Sequence, residues 1–138
     1  MRLPESTGRE RKEIVIMNTI NNATDIANRY IALWNETDVE RRRALIARAW
    51  TEDASYVDPL MKGDGHGGIN TMIAGVQERF PGHRFSLRGE PEGHNDRIRF
   101  SWTLAQGTSP VAQGTDFAVV TADGRLKSVT GFLDQLRR

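Results

Sequence analysis

The sequence predicts an α+β domain in which three helices, with one early strand among them, precede an antiparallel meander that curls around them and encloses a cone-shaped pocket. Two features of pattern and one of length carry that expectation. Apolar residues recur at helical spacing as far as Phe80, then at a period of two from Phe85 onward. At 138 residues the chain suits a single domain, long enough to bury roughly 68% of the surface its unfolded form exposes. Helices gathered on one face of an antiparallel sheet let both kinds of apolar face be covered at once.

Residues 1–22 are mostly polar apart from Ile14-Val15-Ile16-Met17 and show no helical or strand period. They are expected to form a loosely ordered extension to a domain covering 23–138. Thr24 can cap a first helix whose Ile26, Ala27, Tyr30, Ile31, Leu33 and Trp34 make a wide apolar stripe. Asn35-Glu36-Thr37-Asp38 breaks it. Asp38 can cap a second helix with Leu45, Ile46, Ala49 and Trp50 on one face and Arg41, Arg42 and Arg43 directed to solvent. Ala54 to Asp58 alternates as a strand, with Ala54, Tyr56 and Asp58 on one side, and Pro59 ends it. The glycine-rich turn Gly63 to Gly68 leads into a third helix carrying Ile69, Met72, Ile73, Val76 and Phe80, closed by Pro81-Gly82. Phe85 and Leu87, then Ile98, Phe100, Trp102 and Leu104, alternate as two strands separated by Gly89 to Gly93. Val111 to Thr121 turns at Ala122-Asp123-Gly124 into Arg125 to Asp134 as a hairpin.

Composition removes several classes of function. Lys and Arg number 19 against 18 Asp and Glu, a net charge of +1, too weak a field to steer a polyanion or hold an anionic membrane. Neither nucleic acid nor membrane is therefore an expected partner. The absence of cysteine excludes disulfides, thiolate chemistry and sulfur-ligated metals. No apolar run approaches about 18 residues and no signal pattern opens the chain, so a soluble cytoplasmic protein is expected. The histidines lack metal-ligand spacing, and the chain has no P-loop, no G-x-G-x-x-G after a strand and no G-x-S-x-G. No metal and no cofactor are expected.

Three polar residues in mostly apolar stretches are candidates for chemistry: Tyr30, Asp58 and Asp116. A carboxylate in such a place needs a reason, because burying an unpaired charge is costly. If the three converge in one pocket they make a proton-transfer site. Each also has a plainer reading. Asp58 can cap the turn at its proline, Asp116 can be satisfied by backbone or by Arg99, and Tyr30 can be a core aromatic whose hydroxyl finds any partner. His66, near a helix N-terminus, is an acid-base candidate or an idle residue of a glycine turn. Trp50, Tyr56, Met61, Met72, Trp102, Phe117 and Phe132 are candidates for core or pocket wall.

Arg29-Tyr30-Ile31-Ala32-Leu33-Trp34-Asn35, the run from Trp50 to Pro59, and the hairpin from Thr115-Asp116-Phe117 through Asp123-Gly124-Arg125-Leu126 resemble the nuclear transport factor 2-like superfamily. Within it they are similar to the ketosteroid isomerase and SnoaL-like branches, over roughly Ala23 to Leu133. The resemblance implies a cone-shaped fold and carries roles over by position. Tyr30 corresponds to the tyrosine that hydrogen-bonds the substrate oxygen, Asp58 to the catalytic base, and Asp116 to the aspartic acid kept protonated in the oxyanion hole of that isomerase. It also implies a small apolar or carbonyl-bearing ligand, and a homodimer made through the sheet, by Phe100 and Trp102 or by the opposite face. The loop Leu60 to His66 departs from the isomerase pattern, as do the bulky Trp50 and Tyr56. The SnoaL-like branch resembles that loop and Gly131-Phe132-Leu133-Asp134 at least as well, which adds Asp134 as a weaker candidate. The expected activity is cofactor-free general acid-base chemistry of an isomerase or cyclase. The alternatives are a non-catalytic binding or dimerisation module, and an accessory subunit docking through the sheet.

Overall fold

The computed structural model describes the backbone of residues 8–136 and the side chains of residues 22–134. Helices α1 (Gly8–Asn35) and α2 (Val39–Ala49) come first, then strands β1 (Trp50–Val57) and β2 (Lys62–Asp64), helix α3 (Gly65–Arg79), and strands β3 (Arg84–His94), β4 (Arg97–Gln106), β5 (Ser109–Val120) and β6 (Leu126–Leu136). The strands form one curved sheet in the order β2-β1-β6-β5-β4-β3. Its concave face holds the helices, as expected of the α+β cone. The sheet is mixed rather than purely antiparallel, because β1 runs parallel to β6. Parallel neighbours need a long connection, and here everything from β2 to β5 lies between them.

The core forms where the stripe of α1 meets the alternating strands. Ile26, Ala27, Tyr30, Leu33 and Trp34 are buried against Ile98, Phe100, Trp102 and Leu104 of β4, Ala118 and Val120 of β5, and Leu126 and Val129 of β6. Full burial of one such side chain is worth about 1.5–3 kcal/mol. Asn35 ends α1 and ties it to the sheet, its amide donating to the Phe85 carbonyl at 2.9 Å and accepting from the Phe85 N–H at 2.8 Å.

Several details differ from the sequence reading. Thr24 lies inside α1 instead of capping it, because the helix begins at Gly8, and the expected boundary at residue 22 therefore falls in mid-helix. Arg9, Glu10, Arg11, Lys12 and Glu13 are good helix formers without any apolar period. Residues 1–7, the rest of the expected extension, lie outside the described residues. Asp38 does cap α2, accepting from the Arg41 N–H at 3.0 Å. Arg42 is buried, whereas Arg41 and Arg43 are exposed. It shares a face with Ile46 one turn on, and its guanidinium donates to Asn70 Oδ1 at 2.6 Å, the Glu36 carbonyl at 2.7 Å and Gln77 Oε1 at 2.9 Å. The glycine-rich turn hides the short strand β2, and α3 starts at Gly65 with φ +68°. Gly89 to Gly93 is an irregularity within β3, not a separator. The chain reverses instead at Asn95-Asp96, where Asn95 takes φ 51°, a conformation asparagine tolerates.

Candidate functional site

The open side of the cone is a cavity of about 660 Å³ between α1, α3 and the sheet. Its walls are apolar and aromatic: Trp34 from α1, Met72 and Val76 from α3, Phe85 from β3, Trp102 from β4 and Leu133 from β6. Its polar lining comprises Tyr30 from α1, Tyr56 from β1 and Asp58 from the turn after β1, with Lys62 and Asp64 of β2 and Thr71 and Arg79 of α3.

The two tyrosines each hold a carboxylate. The Tyr30 hydroxyl donates to Asp116 Oδ2 at 2.7 Å, and the Trp102 indole donates to Asp116 Oδ1 at 3.2 Å. The Trp102 ring reaches it by lying across Gly114, its cross-strand partner, where a Cβ would overlap the indole. Asp58 is the first residue past β1 and two along from Tyr56, and the Tyr56 hydroxyl donates to Asp58 Oδ2 at 2.7 Å. The other oxygen, Oδ1, accepts from the N–H groups of Leu60 at 2.8 Å and Met61 at 3.0 Å. Asp58 thus both caps its turn and faces the cavity.

Burial sets the protonation of the inner groups. Asp116 is 1% exposed. Burial pushes its carboxyl up to about 6, against the two hydrogen bonds from Tyr30 and Trp102 and with help from the Asp58 charge. Burial likewise raises the Tyr30 hydroxyl well above the usual tyrosine value, and the Asp116 charge adds to that. Tyr56 is raised for the same reason, then by the charges of Asp116 and Asp58. The indole N–H groups of Trp34 and Trp50 are buried without a partner among the described residues, although buried donors are seldom left so. Both rings pack on Tyr30, at 6.1 Å and 6.0 Å between centroids.

Of the residues singled out from the sequence, Tyr30, Tyr56, Asp58, Met61, Met72 and Trp102 line the cavity. Asp116 does not; it lies behind Tyr30 and Trp102. Trp50 is sealed beneath Tyr30. His66 sits at the start of α3 with Nε2 3.0 Å from the Trp50 carbonyl and does not line the cavity. Phe117 and Phe132 are exposed on the convex face, edge to face with each other at 5.8 Å. Adjacent strand residues point to opposite faces, so Phe117 is directed away from the side Asp116 faces, and Phe132 away from the cavity that Leu133 lines. Asp134 is on the convex face too, accepting from Arg88 at 2.8 Å and from the Thr115 hydroxyl at 2.7 Å. Arg99 pairs with Glu92, not with Asp116. Among the described residues no group of three or more His, Cys, Asp or Glu is placed to hold a metal ion, and no helix is long and apolar enough to cross a membrane.

The sequence reading missed Trp34, Phe85 and Leu133 as wall, and Gly114 and Gly131 as the gaps that seat Trp102 and Asp116. A glycine inside a strand is the signal that would have found the last two, since it marks close approach.

Comparison with known proteins agrees with this architecture. A family model described as a SnoaL-like domain matches residues 27–129. A proposed isomerase of the SnoaL-like family from Agrobacterium tumefaciens is 47% identical, over 83% of this chain and 99% of its own, with a TM-score of 0.79. A proposed ketosteroid isomerase from Kribbella flavida is 19% identical over 88% of this chain and 83% of its own, with a TM-score of 0.64. A proposed polyketide cyclase from Sinorhizobium meliloti is 17% identical over 78% and 93%, with a TM-score of 0.61. These last two are alike in fold alone. No curated protein matches the chain. With the model spanning most of the domain and the Agrobacterium protein alike along nearly its whole length, the chain belongs to the SnoaL-like domain family, on the nuclear transport factor 2-like fold.

Proposed function

We propose that this protein binds a small carbonyl-bearing molecule with an apolar body and moves a proton on it by general acid-base chemistry, as a cofactor-free isomerase or cyclase. The observation that carries the reading is the meeting of Tyr30, Tyr56 and Asp58 on the wall of a mostly apolar cavity. Removing a proton next to a carbonyl leaves negative charge on the oxygen, and fixed donors in a dry pocket stabilise it. Asp58 is the base, and Tyr30 is the donor to the oxygen. Asp116 acts from behind. When protonated it donates to the Tyr30 oxygen across the same 2.7 Å contact, which frees the tyrosine O–H to point at the substrate. That differs from direct donation by Asp116, for which its burial leaves no access.

The test is solvent exchange. Enolisable ketones that bind should take up deuterium next to the carbonyl in heavy water, and Asp58→Asn should stop this by a factor of about 100 or more while leaving affinity largely unchanged. Ligands that bind without exchanging in the wild type would instead favour a non-catalytic binding module. One observation supports that second reading: all the hydrogen bonds that Asp58 accepts already serve its turn and Tyr56.

Two copies are proposed to pair through the convex sheet face, where Phe117 and Phe132 are exposed. Phe100 and Trp102 are turned inward and buried, which leaves the opposite face of the sheet for such a contact.

A further inference from the structure

Helix α3 carries a glycine that the fold does not explain. Gly75 sits in the helix interior, where glycine is less favourable than alanine because its backbone loses more freedom on folding. Other glycines of the chain have a physical reason. Gly89 and Gly107 take φ +75° and +59°, a region most side chains avoid. A Cβ on Gly114 would overlap the Trp102 indole, and one on Gly63 would come within 2.9 Å of the Gly68 carbonyl oxygen. Gly75 has neither a positive φ nor a close neighbour, since a Cβ built on it meets nothing within 4 Å. An alanine would fit there and would favour the helix.

The empty space belongs to the cavity. Thr71, Met72, Gly75, Val76 and Arg79 all line it, and at roughly 3.6 residues per turn Gly75 falls within the arc that the others span. Ile73, two residues earlier and buried, is directed to the opposite side of the helix. A side chain at position 75 would therefore project into the opening. The place is remote from Asp58. Strand β2, which follows the Asp58 turn, crosses α3 where Gly63 meets Gly68, and at roughly 1.5 Å of rise per residue Gly75 stands about 10 Å further along the helix.

We propose that Gly75 is a specificity-determining residue: its bare backbone keeps room for the part of the ligand remote from the reacting carbonyl, and so sets how far a ligand can extend from Asp58 along α3. In placing the carbonyl at Asp58 this rests on the acid-base reading above, whereas the selection by size requires no turnover. Isothermal titration calorimetry with two ketones, cyclohexanone and the longer 4-phenylcyclohexanone, measures it. In Gly75→Leu the longer ketone should bind about 10-fold more weakly, as overfilling a packed space implies, with cyclohexanone unchanged within about twofold. Gly75→Ala should melt at or above the wild-type temperature. A lower melting temperature for Gly75→Ala would show that the fold itself needs the glycine, and overturns the proposal. Equal losses for the two ketones, no loss for either, or a wild type that binds neither overturn it as well. A changed oligomeric state in Gly75→Leu with both affinities intact would assign the bare backbone to a contact between copies, against the proposal. Selective loss of the longer ketone in a protein that exchanges neither would keep Gly75 as the size filter and refute the acid-base reading. Exchange of both ketones at unchanged affinity in Gly75→Leu would do the reverse.

Discussion

Asp116 carries an electrostatic cost that pH can expose. Its carboxyl has an ordinary value of 3.8 and is raised to about 6 in the fold. Between those values the folded protein holds a proton that the unfolded chain has released, so stability falls as pH rises through the window, and the deficit persists above it. Two units correspond to about 3 kcal/mol. Asp116→Asn keeps the acceptor for Tyr30 and cannot ionise. The variant should therefore gain about 3 kcal/mol on the wild type between pH values below and above that window. Urea melts of both proteins at the two pH values measure the change, and a gap independent of pH would show that burial does not govern this carboxyl. Asp116 and Tyr30 were legible in the sequence because polar residues stood in apolar periods. Phe117 and Phe132 were misplaced, although the same period of two, applied strictly, sends them to the other face. The partnership of Asp116 with Trp102 was not legible, since it depends on cross-strand register and on the space over Gly114.

The helices are tied together by Arg42, which links α2 to the last carbonyl after α1 and to Asn70 and Gln77 of α3. Gln77 in turn donates to the Trp34 and Glu36 carbonyls, both at 2.9 Å. Arg42→Met would leave Asn70 Oδ1 and Gln77 Oε1 without this donor, while the Glu36 carbonyl keeps Gln77, at a cost of about 3 kcal/mol, whereas Arg43→Met, at an exposed site, should change stability by less than about 0.5 kcal/mol. Denaturant melts compare them directly, and equal effects would contradict the network. We also expect removal of residues 1–17 to preserve the fold, because the buried stripe of α1 among described side chains starts at Ala23. A large drop in melting temperature would show otherwise. Element types were readable from periodicity, but the bulge at Gly89 to Gly93 and the strand β2 were not. Glycine clusters announce irregular backbone without saying whether pairing continues past it.

At the scale of the whole molecule, the sheet has one face filled by helices and one that carries Phe117 and Phe132 in the open. Pairing through that face predicts a dimer at micromolar concentration that Phe132→Asp converts to monomer with little loss of helix or strand signal. Light scattering with circular dichroism decides this, and a monomeric wild type would end the idea. The order of strands, with β1 beside β6, was beyond periodicity, because the pairing of distant segments is a property of the closed core. That closure also gives the protein an optical property. Its three tryptophans, Trp34, Trp50 and Trp102, are 4%, 0% and 8% exposed, and all of them surround Tyr30 or touch its carboxylate partner. Native emission should therefore be blue-shifted as a whole, and no indole elsewhere dilutes a change at the site. A ligand in the cavity, whose wall includes Trp34 and Trp102, or a proton gained by Asp116, which the Trp102 indole touches, should change that emission, so the chain carries its own fluorescent indicator of binding.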